Sequence, residues 1–223
     1  MEGLLALFSI NTVVYTILDY PLTLVELIGT IFGLWSVILA ARASIWNYPV
    51  GIINIVFFFA TFYQVQLYAD MTLQVYFLLI SMYGWWVWAN PRPTQMDAQQ
   101  ELKITRNPWQ VNLGIGIAIV VGAGVLGLFF ANVHQLVPVL FPAPAAYPYA
   151  DSLVMVMSIA AMYLLSIKKW ENWLIWVAVD TCSIGLFYVK GIKLIALEYV
   201  VFWAIAAYGS YRWWQQMQKE EAK

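Results

Sequence analysis

The sequence predicts an all-α integral membrane protein: seven transmembrane helices, arranged as two parallel three-helix repeats joined by one linker helix. Three observations predict it. Hydrophobic residues make up 63% of the chain and charged residues only 10%, against about a quarter charged in a soluble domain. Seven apolar runs approach or reach the roughly 20 residues a bilayer-crossing helix needs. A Tyr-Gly pair followed by aromatic residues closes the third run at Tyr83 and the seventh at Tyr208, 125 positions later.

The mean hydropathy of +0.73 leaves too few polar residues to cover a surface in water, so the outside faces lipid. The net charge of −1, with no basic patch, argues against nucleic acid as a partner. Cys182, the single cysteine, excludes an intramolecular disulfide framework. The first residues carry neither a basic stretch nor a small-residue cleavage site, so no removable signal peptide is expected.

Taken in order, residues 1–20 are expected to form an amphipathic interfacial helix. Glu2, Leu5, Ser9, Thr12, Thr16 and Asp19 recur at spacings of three and four, a mostly polar stripe on an apolar helix. An eighth span is the alternative there. Runs 22–43, 48–66 and 71–90 make the first repeat, residues 22–90. The polar stretch "NPRPTQMDAQQELKITRNP" and a fourth run, 109–131, make the linker and connector helix of residues 91–134. Gly114, Gly116, Gly122, Gly124 and Gly127 in that helix suit close packing. Runs 151–167, 172–190 and 194–214 make the second repeat, residues 151–214, with the fifth run free to start earlier in the Pro-rich stretch before it; residues 215–223 are a tail.

Charge orients the bundle. With seven spans, Lys190 and Lys193 alone lie on one side. The other nine Lys and Arg residues, Arg42 and Arg92 through Lys219 and Lys223, lie opposite. The positive side is cytoplasmic, so the N-terminus is expected outside and the C-terminus inside.

"SIWNYPVGIIN", Ser44–Asn54, is loosely echoed by "KKWENWLIWVAVD", Lys168–Asp180. On the second helix Asn47, Gly51, Asn54 and Phe58 share one face. On the sixth, Asn172, Trp176 and Asp180 do, with Trp173 a turn below Trp176. Asp180 is the only formal charge near the middle of a span. An unpaired carboxylate there costs several kcal/mol, so it faces a polar cavity or a partner. In repeat-built transporters the substrate site lies near mid-membrane between the halves. The candidate substrate-binding residues are therefore Trp46, Asn47, Asn54, Gln74, Asn172, Trp173, Trp176 and Asp180.

The motifs "WNYPVGIIN", "Q-x-x-L-Y-A-D" and "W-E-N-W-x-x-W-x-x-x-D" resemble the signature of PnuC-type nicotinamide riboside transporters over residues 22–214. Many relatives carry Trp where this chain has Tyr48. The resemblance implies a SWEET-like fold and facilitated diffusion of the riboside into the cell. It also implies trapping by a cytoplasmic riboside kinase, homotrimers, and a bacterial inner membrane. The residues agree with it. A flat pyridinium cation suits Trp and Tyr faces, its amide and hydroxyls suit Asn and Gln, and Asp180 balances charge or binds ribose. No Lys or Arg is placed at mid-membrane to meet a phosphate, which argues against the mononucleotide.

Plainer roles compete. Trp85, Trp86, Trp88, Trp109, Trp213 and Trp214 read as an interfacial belt. Trp46 and Trp170 divide between belt and gate, and Asn54 between site and interhelical glue. Gln74 divides evenly between site and packing. Glu198 reads as pairing with Lys193 or reaching the outer interface, and His134 as solvated. One His, one Cys and one mid-span carboxylate make no triad or metal cluster, so no enzyme, metal or cofactor is expected. A proton-coupled carrier of another small nucleoside or vitamin-like solute, and a non-transport receptor, are the alternatives.

Overall fold

In the computed structural model, residues 7–17, 20–64, 68–97, 99–138, 144–191 and 193–221 are described. Among them, seven long helices dominate: α1 (Leu24–Ala41), α2 (Asn47–Gln64), α3 (Tyr68–Ala89), α4 (Trp109–Leu136), α5 (Pro148–Ser166), α6 (Glu171–Val189) and α7 (Lys193–Glu221). They match the seven apolar runs, with α5 starting earlier than residue 151 and α7 continuing through most of the expected tail. Four of them, α1, α4, α5 and α6, are each long and apolar enough to cross a membrane by composition. Helix α2 falls outside that group, and it carries Asn47, Asn54, Thr61 and Gln64 along its length.

The helix expected over residues 1–20 does not form over its second half. Strand β1 (Val13–Ile17) pairs antiparallel with β2 (Tyr20–Thr23), while residues 1–6, 18 and 19 lie outside the described set. The run Val13-Val14-Tyr15-Thr16-Ile17 is β-branched and aromatic, and that local preference outweighs the three-four polar spacing. The hairpin leads into α1 through a capping box. Thr23 and Glu26 satisfy each other's backbone N–H groups. Tyr20 donates to Glu26 Oε1 at 2.7 Å. Burial, then that bond and the charges of Glu26 and Glu198, push the Tyr20 phenol up to about 12.

Helix α2 packs between α1 and α3, and α6 between α5 and α7. Helix α1 also packs on α7, and α3 on α5. Helix α4 packs on α5 and is otherwise largely exposed. Of its glycines, only Gly122 and Gly127 meet a neighbour, Val156 and Tyr149 of α5; Gly114, Gly116 and Gly124 face open space. Close packing therefore explains two of the five glycines.

One turn geometry occurs twice. After α1, Ala43 takes φ 56°, and Ser44 N–H and Asn47 N–H donate to Leu39 O and Ser44 O. After α5, Lys168 takes φ 55°, and Lys169 N–H and Asn172 N–H donate to Leu164 O and Lys169 O. Each turn ends in a buried Asn whose amide donates back three residues, Asn47 to Ser44 O at 2.7 Å and Asn172 to Lys169 O at 2.6 Å. The left-handed residue reverses the chain, and the Asn amide adds a second donor to the carbonyl that its own backbone N–H already meets.

The buried core lies at the end of the bundle where these turns and the 91–107 linker meet. Tyr48, Trp88, Trp173, Trp213, Leu102 and Ile104 are its larger members. The linker is folded rather than loose. A turn around Asp97, whose carboxylate accepts from the backbone of Gln99 and Glu101, sends Leu102 and Ile104 into the core at 6% and 0% exposure.

Candidate functional site

Helix α6 presents one polar and aromatic stripe. Asn172, Trp173 and Asp180 are buried, and Trp176 is half-buried against the core cluster. Ser183, which was not among the expected site residues, extends the stripe by one more turn. It is fully buried and its hydroxyl lacks a partner among the described residues. The steps from Trp173 to Trp176, Asp180 and Ser183 are three, four and three, so all four share a face. That spacing was the signal for Ser183. None of the described residues makes a hydrogen bond or ion pair to the Asp180 carboxylate. Asn172 Oδ1 and Trp173 Nε1 are likewise buried without a partner. Buried polar groups are normally satisfied, so the stripe offers acceptors, a donor and a hydroxyl to something beyond the protein's own side chains.

On α2 the expected residues divide. Asn47 is buried and its amide closes the turn before the helix. Asn54 donates to Gly29 O of α1 at 2.8 Å, and a Cβ on Gly33 would stand 2.8 Å from its amide nitrogen. Its amide group is thus engaged inside its own three-helix block. Trp46 is 66% exposed and lines an outward groove with Phe32, Trp35 and Ile53, away from the buried cluster. Gln74 is half-buried on α3. Helices α2 and α6 each pack chiefly on their own chain neighbours, and no hydrogen bond joins Asn54 or Gln74 to the α6 stripe.

The tryptophans expected in a belt also divide. Trp85, Trp86, Trp109 and Trp214 are exposed at 40–70%, as a belt requires. Trp88 and Trp213 are not belt residues. They are 6% and 0% exposed, and their indoles donate to Leu165 O and Ala40 O. Trp170, half-buried, donates to Ser210 O at 2.9 Å. Glu198 is half-buried on α7; the Lys193 side chain lies outside the described set. His134 is half-buried, its Nδ1 without a partner among the described residues.

Tyr48 is the central residue that motif reasoning undervalued. It is 2% exposed and meets Trp88 edge-on at 5.3 Å, as Trp173 meets Trp213 at 5.6 Å. A Cβ on Gly84 would lie 2.5 Å from the Tyr48 hydroxyl, and one on Gly209 would lie 2.8 Å from the Trp173 ring. The two Tyr-Gly pairs exist because each glycine lets a ring of the neighbouring motif helix rest against the backbone.

A family model described as nicotinamide mononucleotide transporter matches residues 23–215. The nicotinamide riboside transporter PnuC of Escherichia coli (strain K12) is 36% identical over 209 residues, 87% of this chain and 86% of that protein. The chain belongs to the nicotinamide mononucleotide transporter family. Family membership makes it a membrane transporter and not an enzyme. Another relative, the riboflavin/roseoflavin transporter RibM of Streptomyces davaonensis, is 24% identical over 95% of this chain and 94% of its own. A crystal structure of the vitamin B3 transporter PnuC superposes with a TM-score of 0.66, covering 86% of this chain and 81% of that one at 23% identity, so the fold is shared. Family membership and the apolar helices together make this a multi-pass membrane protein.

Proposed function

We propose that this chain carries nicotinamide riboside into the cell by facilitated diffusion, with the unphosphorylated riboside held against the α6 stripe between two parallel three-helix repeats. The observation that carries the cargo is the 36% identity to a nicotinamide riboside transporter over nearly the whole chain. The stripe fits that cargo. Trp173 and Trp176 offer faces to a pyridinium cation, Asp180 a counter-charge, and Asn172 and Ser183 polar partners. Neither α2 nor α6 contains a Lys or Arg, so a phosphate finds no counter-charge there. The family's mononucleotide name is therefore not followed.

Several independent features support the repeats at a constant offset of 125 residues. The two turns share their left-handed residue and their Asn. Tyr48 and Trp173 each rest on a glycine. Trp88 and Trp213 donate to Leu165 O and Ala40 O, themselves 125 apart. At that offset Trp46 corresponds to Glu171, Asn54 to Val179 and Asp180 to Ile55. The two polar residues of the motif helices are therefore not equivalents. Asn54 serves its own block, and the α6 stripe carries the greater part of binding, with Asn47 and Gln74 as contributors from the first half. The expected orientation, N-terminus outside and C-terminus inside, puts the linker end in the cytoplasm. There a kinase would trap the riboside. A homotrimer remains part of this reading on resemblance alone.

Purified protein in vesicles tests it. Labelled nicotinamide riboside should equilibrate without an ion gradient, and excess unlabelled riboside should compete where the mononucleotide does not. Accumulation above the outside concentration, abolished by a protonophore, would replace uniport with proton coupling. Competition by riboflavin alone would move the cargo to that of the RibM relative.

A further inference from the structure

Segment Glu101–Asn107 is fastened by hydrogen bonds to one side of the molecule. Thr105 N–H donates to Lys168 O at 3.2 Å, and Thr105 O accepts from Trp170 N–H at 2.9 Å. Glu171 Oε1 accepts from Asn107 N–H at 2.7 Å and from the Asn112 amide at 3.2 Å. All these anchor points lie in the turn before α6 or at its first residue. The apolar side of the segment behaves differently. Leu102 and Ile104 enter a cluster built from both blocks, with Ala40, Ala43 and Tyr48 from one and Trp173 and Trp213 from the other. Where the second block has Glu171, 6% exposed, the first has Trp46, 66% exposed, at the matching position. The Thr105 and Asn107 bonds thus tie the segment to the second block, while Leu102 and Ile104 meet the first through apolar contact.

We propose that Glu171 is a positioning residue: it clips segment 101–107 to the start of α6, so that the segment travels with Asn172 and Trp173 and seals this end of the path against the first block. This deepens the transport reading and rests on it. Parting the blocks at this end breaks the Trp88–Leu165 and Trp213–Ala40 hydrogen bonds, separates apolar surfaces and leaves the clip intact. A buried carboxylate is costly unless hydrogen-bonded; donors from the segment and from the start of α4 meet Oε1, while Oε2 is buried without a partner among the described residues.

The test uses thiol accessibility in purified full-length protein with Cys182→Ser. Ile104→Cys, at a fully buried position, should react with a membrane-impermeant maleimide at least about tenfold more slowly than Lys103→Cys, whose position is 38% exposed. Adding Glu171→Ala should speed the Ile104→Cys reaction by about tenfold, the scale of one charge-assisted hydrogen bond. Glu171→Gln, which keeps the Oε1 acceptor, should restore slow labelling. In vesicles Glu171→Ala should change the maximal riboside uptake rate with KM held within about twofold, since no site contact is removed. Should Glu171→Ala fail to fold, Asn107→Pro removes the donor instead and should give the same acceleration. Labelling of Ile104→Cys as fast as Lys103→Cys, or unchanged by loss of the clip, would overturn the proposal. The labelling arm needs no cargo, so a failed riboside assay with clip-dependent labelling would sink the transport reading alone.

Discussion

Trp88 and Trp213 make matching hydrogen bonds across the molecule. Trp88 Nε1, on α3, donates to Leu165 O at the end of α5 at 3.3 Å, and Trp213 Nε1, on α7, donates to Ala40 O at the end of α1 at 3.0 Å. Their rings stand 6.0 Å apart. Each indole adds a second donor to a carbonyl that already accepts from the turn after its helix, Lys168 N–H at Leu165 O and Ala43 N–H at Ala40 O, and each does so on the opposite three-helix block. Trp213→Phe keeps an aromatic ring and removes the donor. The expected loss is about 1–3 kcal/mol from the lost hydrogen bond and the space an indole filled. Thermal unfolding of the purified variant should show it, with Trp214→Phe, at a 46% exposed position, unfolding as wild type. Equal melting of the two variants would return Trp213 to the interfacial belt.

Glycines 84 and 209 make a second test. Their Cβ positions are occupied by the Tyr48 and Trp173 rings. Gly84→Ala and Gly209→Ala should each destabilise by about 1–3 kcal/mol through overpacking. Gly124→Ala meets open space, and should be neutral or slightly stabilising through helix propensity. Similar melting of all three would show that the rings move aside without cost.

How much of this was legible beforehand depends on what each residue contacts. The seven helices follow from apolar run length, a property of sequence alone. Tyr-Gly was visible as a repeated pair, but its meaning was not, because the ring it accommodates lies 36 positions earlier in each block, at Tyr48 and Trp173. Trp213 looked like a belt residue since nothing local distinguishes a tryptophan at a helix end facing lipid from one facing a helix 173 residues away. The linker looked like polar loop because Leu102 and Ile104 are only two apolar residues among many polar ones. What orders them is a bridge from Thr105 to the 168–170 turn. The α6 stripe was legible because its spacing is helical and local. The roles of Asn54 and Trp46 were not, because partner choice between α1 and the centre is a tertiary matter.

Lys168 yields a pH prediction. Its ammonium lies over the Trp88 ring at 4.6 Å and 3.8 Å from Glu101, with the side chain 1% exposed. Burial lowers its pKa from 10.5; the carboxylates of Glu101, Asp97 and Glu220 pull the other way but do not offset it. The folded chain therefore gives up this proton at lower pH than the unfolded chain. Between the folded value and 10.5 the unfolded state binds more protons, so stability from this group rises with pH and levels off above 10.5. Below the folded value both states are charged and the burial cost is constant. Lys168→Met removes the titration. Melting temperatures of wild type relative to Lys168→Met should rise from neutral pH toward pH 10. A falling difference would mean that the ion pair and ring contact outweigh desolvation.

The last prediction separates site from glue. Asn54 spends its amide donor on Gly29 O, so Asn54→Ala should lower stability, by roughly 0.6 kcal/mol for an average interhelical bond in a membrane protein, and leave riboside affinity near wild type. Trp176→Ala removes an aromatic face that is half-buried beside the stripe. Loss of a cation–π contact is worth about 0.5–2 kcal/mol, or up to roughly thirtyfold in Kd. Asp180→Asn keeps the shape of a buried side chain and removes only its charge. If that charge balances the pyridinium, Asp180→Asn should weaken the cationic riboside by about tenfold or more and a neutral analogue of the same shape far less. If Asp180 instead accepts ribose hydroxyls, both ligands should weaken alike. Calorimetric titration of each folded variant with both ligands reads the difference. Wild-type affinity in Trp176→Ala and Asp180→Asn together, with a loss in Asn54→Ala, would place the site on α2 and make the α6 stripe structural.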